Sequence, residues 1–342
     1  MDTRKVQRLG PSTLAMTLPA AWAREHDVSK GDEVAVRESS KGTLTITPES
    51  TRREESEATI HVEGIDAGAV ERAIIAQYVL GRRIIHIRAE ETLGNQHINA
   101  VYSAETQLMG LGVIEETPDR ITIRCSVDPE DFTISNLVER LENTGSTMRG
   151  EALKALAHDN IDLAERALNR ERQANKIFVL LLRLIYTAYQ NPSLGRAIGL
   201  EDGFPLIAYR SVAKNLELTA DNAEDIAEIV LDADVPRLGL DDATIGQIRD
   251  FNDSVDELTP LAVEAVVERD FEKSLRAKEL FRDLSDRELT LLRELPAMDN
   301  KHLLQVREVL VSLQQTAQYA VRNVEIAANL ALNEESEYTT IR

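Results

Sequence analysis

The period of the apolar positions changes three times along the chain. In residues 4–47, the stretches "RKVQRL", "LAMTLP", "DEVAVRE" and "GTLTITP" alternate apolar with polar residues or are rich in β-formers. This predicts short strands, with one helical turn over 20–26 after Pro19. Gly10-Pro11-Ser12 and Lys41-Gly42 supply the turns between them. The stretch "ESTRREESE", 49–57, is nearly devoid of apolar residues and reads as a linker. From 58 to 126 strand and helix patterns alternate, which predicts a small α/β layer. In its first helix Val70, Ile74, Ile75, Tyr78 and Val79 recur at helical spacing, and Gly81 stands where a C-terminal cap is expected. Pro118-Asp119 joins the last two strands as a hairpin.

Beyond Asp128 every apolar pattern is helical. Breakers divide it into six helices, 133–158, 160–190, 204–233, 241–268, 270–291 and 299–332. Pro192, the run Gly199 to Gly203, Pro236, Gly239 and Pro296 mark ends, and Pro260 falls inside the fourth helix, where a kink is expected. Six helices suggest two bundles of three. "DNAEDIAEIV" (221–230) and "QYAVRNVEIA" (318–327) share Ala, Glu and Ile at an offset of 97, which supports an internal duplication. The expected domains are 1–50, 58–128 and 130–333.

Composition changes this picture in two ways. The 342 residues carry a net charge of −20, yet residues 1–50 hold seven Lys/Arg and seven Asp/Glu, so the first fifty are neutral and the rest carry all the charge. Arg4, Lys5 and Arg8 lie together at the start. Nine lysines against thirty arginines make an acidic, arginine-biased surface, as expected where multimolar salt screens self-repulsion, and a halophilic source follows. The single cysteine, Cys125, excludes an intrachain disulfide and fits a reducing cytoplasm. The longest apolar run, "IFVLLLRLIYTAY" at 177–189, is too short to span a bilayer and contains Arg183, so a cytoplasmic protein without membrane insertion is expected.

Enzyme chemistry finds no pattern here. Histidines 26, 61, 86, 97, 158 and 302 are scattered, without metal-ligand spacing, and His61 and His86 fall in predicted strands. No Ser, Cys or Lys is flanked by an activating base, and Cys125 reads as a packing residue of a strand. Trp22 reads as core, and Gly10 and Gly31 as turn formers.

The ordered elements "RKVQRLG", "STLAMTLPAAWA", "VSKGDEVAV" and "GTLTITP" resemble the AbrB/MazE/SpoVT DNA-binding module over nearly all of residues 3–48. The resemblance implies a swapped-hairpin β module, a homodimer, and DNA contacts from basic residues on the exposed face. By position these are Arg4, Lys5, Arg8 and Arg24, with Gln7, Ser12 and Thr13 as hydrogen-bonding partners. An acidic chain repels phosphate at long range, so a locally cationic face is the physical requirement for binding DNA.

"LELTADNAEDIAEIV" (216–230) is similar to the Glu-x-x-x-Asp helix of the PhoU family, with Glu217 and Asp221 in the motif positions and Asp225 one turn on. These three positions align along one helix face and could present carboxylates to a divalent metal. In a chain with 59 acids the competing reading is a solvated stripe. The matching positions of the second repeat are Gln314 and Gln318, Asn175 and Lys176 stand where the family tends to be acidic, and Gly195 replaces an acidic residue before Arg196. The two halves together resemble archaeal PhoU-like phosphate uptake regulators with an AbrB-type N-terminal domain.

The expected fold is α+β and multidomain, with the β module, the α/β middle unit and an all-α PhoU-like pair of three-helix bundles. The expected function is a dimeric DNA-binding regulator of phosphate uptake whose partner could be the phosphate transporter ATPase, with no enzyme activity. The alternative is an interaction protein that represses the transporter directly and uses its N-terminal module only to dimerise.

Overall fold

The computed structural model describes residues 3–38, 42–48, 56–200, 204–231, 241–295, 300–333 and 335–341. Of the linker predicted over 49–57, residues 49–55 lie outside them and Glu57 already opens a strand, and the breakers Gly203, Pro236, Gly239 and Pro296 also lie outside. The chain divides into two compact units, Met1–Ser56 and Glu57–Arg342.

The first unit is made of two hairpins and one helical turn. Strands β1 (Gln7–Arg8) and β2 (Leu14–Ala15) pair antiparallel, with Arg8 opposite Leu14. Helix α1 (Ala20–Glu25) starts directly after Pro19, whose fixed φ suits a helix entry. Strands β3 (Val34–Glu38) and β4 (Leu44–Pro48) form the second hairpin, with Val36 opposite Ile46. Trp22 is half-buried against His26, the ring centres 5.1 Å apart, and is less enclosed than a core position would be. Two-stranded ribbons have only one apolar face to offer each other, and Val6, Leu9, Leu14, Met16, Val36 and Leu44 stay exposed.

The second unit opens with a four-stranded sheet ordered β5-β6-β8-β7, where β5 is Glu57–His61, β6 Ile84–Arg88, β7 Leu111–Glu116 and β8 Arg120–Cys125. β5 and β6 run parallel because α2 (Ala67–Val79) crosses between them, and β8 is antiparallel to both of its neighbours. Helix α3 (Asn95–Gln107) leads into the β7–β8 hairpin. Alternate residues of the central strands, Ile85, Ile87, Ile121 and Ile123, join Val70, Ile74 and Tyr78 of α2 and Val101 of α3 in one core, and Cys125 is buried with them. Gly81 ends α2 at φ 89°, where the Gly81 and Arg82 amides close the turn onto Tyr78 and Gln77. A Cβ there would lie 2.9 Å from Thr187 Oγ1, so the glycine also permits close approach of the next helices.

Among the described residues seven α-helices follow: α4 (Ile134–His158), α5 (Ile161–Gln190), the short α6 (Pro192–Ala197), α7 (Phe204–Leu231), α8 (Asp242–Glu268), α9 (Phe271–Glu294) and α10 (Asn300–Ala331). Helices α4, α5 and α7 pack together, as do α8, α9 and α10, and α7 against α10 joins the two sets. The pairs Asn215–Asn323 (2.8 Å) and Asn222–Thr316 (3.1 Å) bridge that seam and show α7 and α10 to be antiparallel. The three-helix sets share a turn as well as a helix count. Asp159 (φ 55°) after α4 and Arg269 (φ 53°) after α8 both adopt the left-handed conformation. The next residue in each case, Asn160 or Asp270, bonds back to Ala155 or Ala265 at 3.0 Å and caps the following helix. These turns repeat at an offset of 110, whereas the sequence match between α7 and α10 lies at 97, and the first set carries the additional α6 between its second and third helices. Pro260 lies inside α8.

Arg183 docks the sheet layer onto the helices. It is 5% exposed in the middle of an apolar run and donates to the carbonyls of Tyr78, Arg82 (3.0 Å) and Gly81 (3.2 Å) at the C-terminal end of α2. Burial lowers its pKa, and the facing ring of Tyr78 and three carbonyl dipoles are what it has in place of an acid.

Candidate nucleic-acid interface and acidic face

The sequence places its DNA-contact candidates in the first unit, and all of them are exposed: Arg4, Lys5, Arg8, Ser12, Thr13 and Arg24. The β1–β2 hairpin orders five of the six. Arg4 and Lys5 enter β1, Arg8 ends it, and Ser12 and Thr13 form the tip, closed by Leu9 N–H donating to the Thr13 carbonyl at 3.0 Å. Arg24 stands apart from these on the last turn of α1, where the helix dipole favours a cation. The hairpin is therefore a short, solvated ribbon with Arg8 on β1 and Arg4 and Lys5 on the segment that leads into it, interleaved with the exposed apolar Val6 and Leu9.

The second candidate face lies on α7. Glu217, Asp221 and Asp225 follow one another at one-turn spacing, as the sequence implies, and the fold adds Glu171 of α5 and Glu224 of α7 to them. Glu217 is held by Lys214, which also lies 5.6 Å from the Phe178 ring centre. Burial pushes Asp221 up to about 6, and the Glu217 charge adds to the shift. Burial also raises Glu171, aided by Asp221, and raises Glu224, aided by Glu171. Asp225, the most exposed of the five, is raised only by partial desolvation against the helix surface. Half-buried carboxylates that repel one another hold protons more tightly than free ones. Among the described residues, no three His, Cys, Asp or Glu side chains come together in a group able to hold a metal ion. Glu171 of α5 and the α7 stripe together form an acidic ridge.

Glu171 was hidden from sequence reasoning, because its partners are some fifty residues away and no spacing rule links two helices. Two of the histidines make polar contacts between elements of the second unit. His86 contacts Thr122 Oγ1 at 3.0 Å and lies 3.4 Å from Glu57, and His97 contacts the Ile65 carbonyl at 3.1 Å. Among the described residues, no helix is long and apolar enough to cross a membrane.

Two family models match the chain. Residues 7–54 match the MazE antitoxin model, described as antidote-toxin recognition MazE, bacterial antitoxin, and this spans both hairpins of the first unit. Residues 138–230 match the PhoU domain, which covers α4 to α7 and includes the acidic ridge. No curated protein matches the chain. The chain combines a MazE/AbrB-type segment with a PhoU-type one, and its helices α8 to α10 repeat the architecture of the matched part.

Proposed function

We propose that the protein is a dimeric transcriptional regulator of phosphate uptake, reading DNA with its first unit and responding through its helices. The observation that carries this reading is the composition of the β1–β2 hairpin. In a chain of net charge −20, its exposed first strand and the segment leading into it concentrate Arg4, Lys5 and Arg8, and its apolar side chains find no cover within the unit. A second copy would cover Val6, Leu9, Leu14 and Met16 and would double the cationic face, matching it to a two-fold operator. Ser12 and Thr13 at the tip and Arg24 on α1 complete the contact set. The PhoU-type match supports a link to phosphate transport, and the helices would answer to a protein partner such as the transporter ATPase. That partner must prefer one of two dimer states for its signal to reach the DNA.

The test is fluorescence anisotropy on DNA upstream of phosphate-transporter genes in multimolar KCl, comparing wild type with Arg4→Ala/Arg8→Ala. Specific binding that the variant loses is the expected result. Absence of specific binding by the wild type, with phosphate regulation intact in the variant, would favour direct repression of the transporter with the first unit serving only to dimerise.

A further inference from the structure

Helices α4 and α8, one from each three-helix set, run antiparallel and are clamped at one place. Buried Arg149, 1% exposed, bonds Asn252 Oδ1 at 3.0 Å and Asp256, and Glu142 accepts from Thr259 Oγ1 at 3.1 Å. Past this clamp a cleft of about 240 Å³ remains between the helices. Its walls are Leu153 and Leu156 of α4 and Ile245 and Ile248 of α8, and its polar lining holds the exposed Lys154 and Arg249 beside Asn252, Asp253 and Asp256.

Three observations point to a ligand. Gly150 lines the cleft in the interior of α4, where glycine is unfavourable, and a Cβ added to it would meet nothing within 4 Å. The neighbouring Gly145 has a packing reason, since its Cβ would lie 3.5 Å from Thr219 Oγ1 on α7, and Gly150 has none. The lining charges are also unbalanced. Asp256 is engaged by Arg149 and by Asn252 (2.7 Å), which leaves two lining cations, Lys154 and Arg249, to one lining carboxylate, Asp253, that is not so engaged. Neither cation forms an ion pair among the described residues, in a chain where acids outnumber bases 59 to 39.

We infer that the α4–α8 cleft binds a small organic anion, its apolar body on Leu153, Leu156, Ile245 and Ile248 and its carboxylate or phosphate between Lys154 and Arg249. Apolar walls with a few placed polar groups are the ordinary build of a small-molecule site. The ligand would touch both helical sets at once. The inference does not depend on DNA binding, and its test is separate.

The probe is octanoate, with 1-octanol as its neutral counterpart, titrated calorimetrically into the full-length protein. Saturable octanoate binding is expected, with octanol at least tenfold weaker. Lys154→Ala/Arg249→Ala, two exposed positions that leave the fold intact, should weaken octanoate at least tenfold. Gly150→Leu, which fills the cleft, should abolish binding by a protein whose circular dichroism matches wild type. No saturable binding, equal affinity for octanol, or an undiminished affinity in the double variant overturns the inference.

Discussion

The guanidinium of Arg183 lies over the ring of Tyr78, 4.8 Å from its centre, and donates to the carbonyl of that same residue. One side chain of α5 thus caps α2 and packs on its last turn, so the sheet layer and the first helical set share one core. Arg183→Met keeps the apolar stem and removes the donors, leaving the buried Tyr78 carbonyl with the Gly81 amide alone and the half-buried Gly81 and Arg82 carbonyls without the guanidinium. The expected loss is about 2–4 kcal/mol, read as a lower urea midpoint. Arg183→Lys should recover only part, because one ammonium cannot span three carbonyls as a planar fork does. A midpoint equal to wild type for Arg183→Met would remove the cap from the account.

The helical boundaries were legible because the signals are local. The turns at Asp159 and Arg269 fall where one helical period stops and Asn160 or Asp270 can cap the next, although neither left-handed residue is a glycine. The role of Arg183 was not legible. Within "IFVLLLRLIY" it reads as a charge interrupting an apolar run, and its partners lie about a hundred residues earlier. Arg149 is the same case, a cation whose partners Asn252 and Asp256 become neighbours only when α4 meets α8. The cationic hairpin was visible as charge in the sequence. The exposure of Leu9 and Leu14 beside it was not, since alternation says which residues share a face and not whether that face is covered.

The exposed apolar set of the first unit makes the association state testable without DNA. Leu14→Asp/Val36→Asp places charges where a second copy would bury Leu14, 65% exposed in the single chain, and Val36, 60% exposed. Sedimentation equilibrium should show wild type as a dimer and the variant dissociating at least ~30-fold more readily, the equivalent of about 2 kcal/mol at one well-buried contact. An unchanged dimer would move its interface to the helical unit.

The charge distribution predicts a salt requirement. With 59 acidic against 39 basic residues, most of them past residue 50, the compact state repels itself in dilute buffer, and this repulsion is screened once the Debye length falls to about 3 Å near 1 M salt. The thermal midpoint should rise steadily from 0.1 M KCl to multimolar KCl. A midpoint that levels off near 0.3 M would mark an ordinary acidic protein.

Asp221 supplies the pH dependence. Its carboxyl is pushed from an ordinary 3.8 up to about 6, first by burial and then by Glu217. The folded chain therefore holds this proton more tightly than the unfolded chain. Its contribution to stability is complete below pH 3.8 and is lost as pH rises through about 6. Asp221→Asn fixes the neutral form and should stabilise the protein at pH 8 by about 1 kcal/mol, after discounting for its half-exposed setting, with the gain fading towards pH 4. A divalent cation held by Glu217, Asp221 and Asp225 reverses the sign, because the ligand would then need its charge. Paired thermal melts at pH 8 in EDTA and in MnCl₂ separate the two. A variant more stable in both buffers supports the acidic ridge. A wild type that manganese raises and the variant does not follow would make the ridge a metal site.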